Sequence, residues 1–435
     1  MERFALSRMK EWKENENRKP LIIRGARQVG KTWIMKTFGQ QYFEKTAYVN
    51  FDNNARMKQV FEGDLDIERL VLSISAETGV SIEAENTLII FDEVQEVPKA
   101  LTSLKYFYEN APQYAIVAAG SLLGVALHQG TSFPVGKVDF LDLYPLNFRE
   151  FLCAMGEKQF VSMLDSCDTQ MVTVFKTKYI ERLREYYFVG GMPEVVKDFS
   201  EKKDYNRVRV IQKNLINYYQ QDFSKHAEIK LVPRLNLVWN SIPMQLAKEN
   251  KKYIYGQVRE GSRAKDFELA IQWLLDCGLI HKVQRIQKPD LPLKAYIDFD
   301  AFKLFLVDIG LLIAMTDLDA KVIIEGNKIF TEFKGALTEQ YILQQLISDV
   351  GVIPYYYSTQ NSKGEIDFLV QGKTSVIPIE VKAEENLKAK SLKAFCEKYQ
   401  PSYAVRTSMS DYREQDWMTN IPLYAIKWIE NYVNQ

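Results

Sequence analysis

The sequence predicts an α/β protein of several domains, and three observations support this. Within residues 1–155, short apolar runs alternate with helical patterns, which is typical of parallel βα units. A glycine-rich loop directly follows the first of these runs. From about residue 295 onward, strand and helix patterns mix again. With about 150 residues per domain as a guide, a chain of 435 residues has room for roughly three domains.

The apolar runs of the first region are continuous rather than alternating, which predicts strands covered on both faces. These runs are LIIRG from Leu21, AYVNF from Ala47, TLIIFDE from Thr87 and YAIVAAG from Tyr114. The pattern then turns helical and is broken by FVGGMPEVV at Phe188–Val196. Two glycines and a proline in succession predict a turn there.

The composition excludes some classes of protein. The 56 basic residues balance 56 acidic ones, so no global charge directs the chain toward nucleic acid or a membrane. The longest apolar run, Ala115–Leu127, is shorter than the roughly 18 residues of a membrane helix. Four scattered cysteines and three histidines do not suggest a zinc site or a disulfide framework. We expect a cytoplasmic protein with no membrane partner.

The stretch RGARQVGKTW, Arg24–Trp33, fits the phosphate-loop pattern G-x-x-x-x-G-K-[ST]. A strand precedes it and a helix can follow, so backbone N–H groups at the helix start would surround phosphate oxygens. We expect Lys31 to reach the outer phosphates and the Thr32 hydroxyl to bind Mg²⁺. The alternative is a chance glycine-rich turn. The predicted ATP-binding residues are Gly25, Ala26, Arg27, Gln28, Val29, Gly30, Lys31, Thr32 and Trp33.

A second motif, LIIFDEVQ at Leu88–Gln95, places two carboxylates at the end of an apolar strand. Asp92 is predicted to hold the Mg²⁺ shell, and Glu93 to orient or deprotonate the attacking water. Taken alone, the pair could also be an exposed acidic turn. Ser121 follows the next strand, where it could sense the γ-phosphate or simply be a turn residue.

In this order, GARQVGKT, YVNFD, LIIFDEVQ, AAGSLLG and DLYPLNFREF resemble prokaryotic AAA-type P-loop ATPases. The resemblance spans nearly the whole chain and includes GGMPEVV. In that family the ATPase core is joined to a C-terminal domain that resembles the restriction-endonuclease fold. The resemblance therefore implies ATP and Mg²⁺ as cofactors, and it suggests a homo-oligomer.

One position departs from the family pattern. Members commonly carry a Gly-Arg pair shortly before the YPL segment, whereas this chain has Gly136 and Lys137. Lysine lacks the bidentate fork of arginine. Arg149 could take over as a charge-stabilising finger, or it could be a solvated surface residue.

The middle of the chain, residues 236–292, resembles the winged-helix modules of the family. It contains a helical pattern at Asp266–Ile280 that Gly278 ends. Its basic residues would suit phosphate groups, although acidic residues interrupt them. A face that packs against the ATPase core is the alternative. The basic and aromatic residues are Lys251, Lys252, Arg259, Arg263, Lys265, Tyr253 and Tyr255.

The stretch GEIDFLVQGKTSVIPIEVKAEE, Gly364–Glu385, resembles the catalytic hairpin of PD-(D/E)xK nucleases. Such sites bind a divalent metal through carboxylates, and a lysine positions the attacking water. The resemblance implies Asp367, Glu380 and a helical Glu339 as metal ligands and Lys382 as the catalytic lysine. A Glu380–Lys382 ion pair without metal is the alternative.

The sequence thus predicts four regions. They are an AAA-type ATPase core at 1–155, a helical connector at 156–235, a winged-helix-like region at 236–292 and a nuclease-like domain at 293–435. The expected function is that of a Mg²⁺-dependent ATPase acting on DNA or RNA. One alternative is a nucleotide-gated switch whose nuclease-like domain binds partners without cutting. Another is an ATP-driven remodeller of proteins.

Overall fold

The computed structural model describes residues 2–120, 133–248, 252–325, 331–359, 364–383 and 389–435. The chain forms two compact units. The N-terminal unit comprises Glu2–Tyr144 together with Asp276–Leu279, and the C-terminal unit comprises Pro145–Leu275 and Ile280–Gln435. Within the described residues, no helix has the length and apolar character needed to cross a membrane.

The N-terminal unit is built on a parallel sheet of five strands in the order β2-β3-β4-β1-β5. The strands are β1 (Leu21–Arg24), β2 (Lys45–Asn50), β3 (Thr87–Asp92), β4 (Ala115–Ala119) and β5 (Asp139–Asp142). The helices are α1 (Ala5–Glu14), α2 (Lys31–Tyr42), α3 (Ala55–Glu62), α4 (Ile67–Thr78) and α5 (Pro98–Asn110). The four apolar runs all contribute strands, so the predicted α/β fold with a parallel sheet is confirmed.

Burial explains why these strands read as continuous apolar runs. Every residue of β3 and of β4 is buried. On one side of the sheet, Phe51, Phe61 and Phe91 pack edge to face, with ring centroids 5.4 to 5.7 Å apart. Helices α3, α4 and α5 contribute to the same hydrophobic cluster. The sheet therefore holds the ends of β1 and β3 in fixed positions at one edge.

The chain after Tyr144 is mostly helical up to the second sheet, and further helices lie between and after the strands of that sheet. Its helices are α6 (Phe148–Ala154), α7 (Lys158–Asp165), α8 (Thr169–Val174), α9 (Lys176–Val189), α10 (Pro193–Lys202), α11 (Tyr205–His226), α12 (Val232–Leu246), α13 (Tyr255–Val258), α14 (Ala264–Asp276), α15 (Ile309–Met315), α16 (Ala320–Ile324), α17 (Thr331–Gln345), α18 (Lys390–Tyr399) and α19 (Glu430–Val433). Short 3₁₀ helices cover Leu293–Tyr296 and Leu423–Ile429, and a π-helical turn covers Leu346–Val350; a further 3₁₀ helix, Val94–Glu96, lies in the N-terminal unit.

A mixed sheet of eight strands forms the centre of the C-terminal unit, in the order β12-β13-β11-β10-β9-β8-β6-β7. The strands are β6 (Ile280–Ile286), β7 (Ile297–Leu306), β8 (Tyr355–Ser358), β9 (Glu365–Gln371), β10 (Val376–Val381), β11 (Val405–Ser408), β12 (Arg413–Gln415) and β13 (Met418–Pro422). The predicted boundary between residues 292 and 293 lies between β6 and β7, which pair antiparallel in this sheet.

The GGMPEVV stretch forms the predicted turn, between α9 and α10. A Cβ added to Gly191 would lie 2.1 Å from the carbonyl oxygen of Leu146. The Gly191 amide donates to a carboxylate oxygen of Asp308 at 2.6 Å, and the Leu146 amide donates to the Gly191 carbonyl at 2.7 Å. The two glycines thus allow three segments of this unit to approach closely.

Candidate functional site

The glycine-rich loop connects β1 to α2 in the geometry that the motif predicts. Gly30 is the N-cap of α2 and has φ 94°. Because glycine has no side chain, the N-cap residue provides no side-chain acceptor to the first N–H groups of the helix. Gly25 has φ 149°, and an added Cβ would lie 2.1 Å from the Leu143 carbonyl oxygen. Because backbone approaches this closely, only glycine fits at position 25. The result is a helix N-terminus suited to binding an anion.

Side chains of the loop fall into two classes. Ala26 and Val29 are fully buried, so these two residues offer the loop surface only their backbone. Gln28 is exposed and has φ 65°, while Trp33 is 41% exposed. On the far side of the loop, a Cβ on Gly278 would lie 3.1 Å from the Ala26 amide nitrogen, within the same unit.

Lys31 lies at the first position of α2 and is only 7% exposed. Its ammonium donates hydrogen bonds to the carbonyl oxygens of Gly25 at 2.9 Å and Ala26 at 2.8 Å. Burial lowers the pKa of Lys31 to about 8, against the opposing effect of the Glu93 and Asp92 carboxylates. The lysine is therefore held inside the loop, with a proton that it can lose near neutral pH.

Asp92 connects the loop to the neighbouring acidic motif. One of its carboxylate oxygens accepts hydrogen bonds from the Thr32 hydroxyl at 2.7 Å and from the Tyr48 hydroxyl at 2.9 Å. Burial and the nearby carboxylate raise the pKa of Tyr48, so this phenol remains a donor. Thr32 and Asp92 thus present two adjacent oxygens, the ligand type that Mg²⁺ prefers, and the predicted pair fits this ion.

Glu93 follows Asp92 in a left-handed conformation with φ 51°, and its amide donates to the Asp92 carboxylate at 3.1 Å. The Glu93 carboxylate accepts a hydrogen bond from the side-chain amide (Nε2) of Gln95 at 2.7 Å. The Oε1 of Gln95 is buried and has no hydrogen-bond partner among the described residues, and a Cβ on Gly120 would lie 2.1 Å from it. Gln95 thus fixes the Glu93 side chain. Ser121 lies outside the described residues.

Tyr48 and Gln95 are contacts that the sequence analysis missed. Tyr48 lies on β2, in a run whose pattern predicts only a strand, and Gln95 lies two residues after Glu93. The signal for Tyr48 was a polar tip in an otherwise apolar strand. A hydroxyl at that point in a covered strand needs a partner.

Both candidates for an arginine finger are engaged in ion pairs. Lys137 pairs with Glu109 at 3.1 Å. Arg149 forms ion pairs with Asp349 at 2.8 Å and with Asp165, and its side chain is only 12% exposed. Arg149 is therefore a half-buried residue that forms ion pairs within the C-terminal unit, rather than a solvated surface residue.

The two strands of the stretch Gly364–Glu385, β9 and β10, pair antiparallel as a hairpin. Glu380 is buried, and its carboxylate contacts the Lys382 ammonium at 2.6 Å and accepts from the Leu392 amide at 3.3 Å. Asp367 accepts from the Val381 amide at 2.7 Å. Glu380 and Lys382 are therefore brought together, as strand alternation predicts.

Glu339 belongs to a different group of contacts in the same unit. Its carboxylate lies 3.6 Å from the ammonium of Lys303 on β7, which also contacts Glu365 at 2.5 Å. Burial opposes a charge on Lys303, but Glu339, Glu365 and Asp367 outweigh it and raise the pKa of the lysine. Among the described residues, no group of three or more acidic, histidine or cysteine side chains is arranged to hold a metal.

The basic and aromatic residues of the middle region differ in their exposure to solvent. Tyr253 is buried, its amide donates to the Phe302 carbonyl at 2.8 Å, and the two rings stack at 5.5 Å. That tyrosine is part of the core rather than a stacking surface. Arg259, Arg263 and Lys265 are exposed. Lys251 lies outside the described residues.

Comparison with known families divides the chain into three matched segments. Residues 17–152 match the model of an AAA domain. Residues 180–322 and 334–426 match two domains of unknown function, DUF8612 and DUF4143. Among curated proteins, no sequence matches this chain.

Solved structures give weaker likenesses. The Walker-type ATPase PABY2304 of Pyrococcus abyssi is 15% identical, with a TM-score of 0.44 over 72% of this chain and 95% of that one. Orc1 of Aeropyrum pernix, solved with DNA, is 14% identical, with a TM-score of 0.27 over 72% and 91%. Cdc6p of Pyrobaculum aerophilum is 10% identical, with a TM-score of 0.25 over 74% and 93%. At these TM-scores, none of the three supports a conclusion about this chain.

The AAA match covers the strands, the glycine-rich loop and the acidic motif described above. Sequence motif, loop geometry and family match agree with one another. Residues 17–152 of this chain are thus similar to an AAA domain, and they carry both the phosphate-loop motif and the acidic strand end.

Proposed function

We propose that this chain binds ATP with Mg²⁺ and hydrolyses it at the site formed by the glycine-rich loop and the end of β3. The observation that carries the proposal is the 2.7 Å hydrogen bond between the Thr32 hydroxyl and the Asp92 carboxylate. It links the two motifs in the arrangement that a metal-bound nucleotide requires. The bound ion would supply charge neutralisation at the phosphates.

The residues of the chain have distinct roles in this proposal. The uncapped N–H groups of α2 and the Lys31 ammonium bind the phosphates. Thr32 and Asp92 hold the ion, and Tyr48 fixes the Asp92 carboxylate by its hydrogen bond. Glu93 orients the attacking water and accepts its proton, while Gln95 keeps the Glu93 side chain in place.

Binding of a non-hydrolysable ATP analogue by Lys31→Ala tests the site. We expect the affinity to fall by at least about tenfold, since a charged contact to phosphate is lost. Lys58→Ala removes an exposed lysine of α3 in the same unit and serves as the matched control. Equal affinity of Lys31→Ala and Lys58→Ala, measured by isothermal titration calorimetry, would show that the assigned site is wrong.

We propose nucleic acid as the second ligand, through the exposed residues Arg259, Arg263 and Lys265 at the start of α14. Clustered exposed cations suit a phosphate backbone. The triple alanine variant should bind labelled DNA or RNA more weakly, with a shallower salt dependence than the parent. Lys58→Ala again serves as the control. An unchanged salt slope in the triple variant counts against this ligand and favours a switch that binds protein partners.

The nuclease-like region is proposed to act on nucleic acid by binding rather than cutting. The observation that favours this role is the ammonium of Lys303 among the carboxylates of that region. Plasmid DNA, single-stranded DNA and RNA incubated with Mg²⁺ or Mn²⁺, with and without ATP, should stay intact. Cleavage that disappears in Asp367→Ala/Glu380→Ala would establish a nuclease instead.

A further inference from the structure

Lys303 is the most deeply buried ammonium group among the described residues of the C-terminal unit. It lies in the middle of β7, between Phe302 and Leu304, and its side chain is 0% exposed. A charged group is not placed in such a position unless neighbouring groups compensate for its lost hydration. Three other elements of the unit provide that compensation.

The contacts of Lys303 come from separate parts of the fold. Glu339 on α17 lies 3.6 Å from the ammonium, and Glu365 on β9 lies 2.5 Å from it. The ring of Tyr356 on β8 lies 4.8 Å from the same nitrogen, as a cation–π contact. Asp367 on β9 adds further electrostatic attraction. The ammonium is thus the common cation of a carboxylate cluster.

A divalent metal does not fit this cluster. It would have to bind oxygens of Glu339 and Glu365 that already lie within 3.6 Å and 2.5 Å of a positive nitrogen. Two cations at that separation repel each other strongly away from water. Glu380, the remaining predicted ligand, is instead held by Lys382 and by the Leu392 amide.

A β-bulge interrupts the regular alternation of β9 next to Asp367. The pairing of β8 with β9 shifts register between Tyr355 and Tyr357. As a consequence, Ile366 and Leu369 belong to the same hydrophobic cluster, although strict alternation would point them to opposite faces. Alternation along β9 is therefore broken beside Asp367, while Glu339 comes from α17 and Glu380 from β10.

We infer that the Lys303 ammonium takes the place of a divalent metal in this cluster, so that an internal cation neutralises the carboxylates of Glu339, Glu365 and Asp367. The region is then a nuclease-like scaffold without a metal centre. This inference is independent of ATP hydrolysis, because every residue in it belongs to the C-terminal unit.

Binding of Mn²⁺ to the full-length chain tests this inference. All proteins carry Asp92→Asn, which removes the metal ligand of the ATPase site, and nucleotide is absent. The bound ion is counted by electron paramagnetic resonance. With Lys303 in place, we expect no saturable binding at millimolar Mn²⁺. Lys303→Ala leaves the carboxylates without their cation. We therefore expect it to gain a Mn²⁺ site whose dissociation constant is at least about tenfold below the millimolar range.

Three further variants complete the experiment. Adding Asp367→Asn to Lys303→Ala should remove the gained site, whereas Lys294→Ala, which changes an exposed lysine, should behave like the parent. Lys303→Gln replaces Lys303→Ala if the alanine variant does not fold.

Two results would overturn the inference. One is saturable Mn²⁺ binding with Lys303 in place that Asp367→Asn abolishes, and this measurement needs no Lys303 variant. The other is a folded Lys303 variant that gains no site. A failed ATPase site would leave both readouts unchanged, so the two proposals can be rejected separately.

Discussion

Lys31 shows at the scale of one residue how burial prepares a group for its ligand. Burial lowers its pKa to about 8, and two carbonyl oxygens of its own loop hold the ammonium. Only the protonated form attracts phosphate. ATP binding must therefore take up a proton once the pH exceeds the pKa of the free site.

The affinity for an ATP analogue should fall as the pH rises. For a pKa of about 8, we expect binding to be about tenfold weaker at pH 9 than at pH 7. Titration calorimetry at both pH values measures this, and the proton uptake appears as a buffer-dependent heat. Lys31→Arg is the control because its guanidinium stays protonated throughout this range. The same loss of affinity in Lys31→Arg would assign the pH dependence to another group.

The residues of the ATPase site also show what can be learned from sequence. The spacing of the motifs predicts that Lys31, Thr32 and Asp92 lie together because it constrains one loop and one strand end, and the Thr32 hydroxyl does contact Asp92. The Tyr48 hydrogen bond crosses from β2 to Asp92 on β3, a pairing that the sequence does not show. The Gln95 hydrogen bond is local, but it depends on the left-handed backbone at Glu93. Local pattern therefore predicts the candidate site residues of a motif but not the side chains that hydrogen-bond to them from outside it.

At the scale of elements, the Gly190–Gly191 turn joins α9 to α10 and receives the side chain of Asp308. Asp308 is also the N-cap of α15, where it accepts from the Leu311 amide at 3.2 Å. Gln344 donates a further hydrogen bond to it at 3.2 Å. One buried carboxylate thus connects a turn and two helices.

Gly191→Ala should destabilise the chain strongly. Its Cβ would lie 2.1 Å from the Leu146 carbonyl oxygen, so the backbone must shift. We expect the free energy of unfolding to fall by about 3 kcal/mol, the upper end for overpacking. Urea unfolding followed by circular dichroism measures it. Gly256→Ala, where an added Cβ meets nothing within 4 Å, should be neutral or slightly stabilising. Equal stabilities of the two variants would refute the close approach.

Asp308 should make stability depend on pH in the direction opposite to that of most carboxylates. Burial raises its pKa to about 6 against the hydrogen bonds that it accepts. The folded state then binds a proton more tightly than the unfolded state. The stabilisation that comes from protonating Asp308 in the folded state is fully present below about pH 4, and it is lost as the pH rises through about 6.

The magnitude follows from the shift of the Asp308 pKa from 3.8 to about 6. That shift corresponds to about 3 kcal/mol, of which about 2 kcal/mol should be lost between pH 4.5 and 7.5. The free energy of unfolding of Asp308→Asn, measured over the same range, serves as the reference that cancels other groups. A free energy of unfolding of the parent that rises with pH relative to that of Asp308→Asn would contradict the assignment.

At the scale of the whole molecule, the sequence predicts the N-terminal unit more completely than the C-terminal one. Continuous apolar runs are read easily as buried parallel strands, and all four fall on observed strands. In the C-terminal unit, β6 and β7 join a sheet whose other strands come from much later in the chain. Pairing over such sequence distances leaves no local signature. The sequence pattern therefore does not show that β6 and β7, on either side of residue 292, belong to the same sheet.

Lys303 illustrates the same limit for a site. It occurs in AFKLFLV, where a single lysine in an apolar strand was the available signal. Its partners Glu339 and Glu365 lie 36 and 62 residues further along the chain. The metal ligands expected from the nuclease resemblance come from one helix and two strands, and a bulge interrupts the alternation of one of these strands. Resemblance predicted the hairpin correctly but not which carboxylates share a cation.

The central claim, that the P-loop unit hydrolyses ATP, is tested most directly by the rate of phosphate release with Mg²⁺ from Glu93→Gln and Glu96→Gln. Glu93 is held by Gln95 beside Asp92, whereas Glu96 is exposed. We predict at least about a hundredfold loss of rate for Glu93→Gln, with analogue binding retained, since a general base contributes that much. Glu96→Gln should match the parent. Equal rates for the two variants, or no Mg²⁺-dependent hydrolysis by the parent chain, would contradict the account.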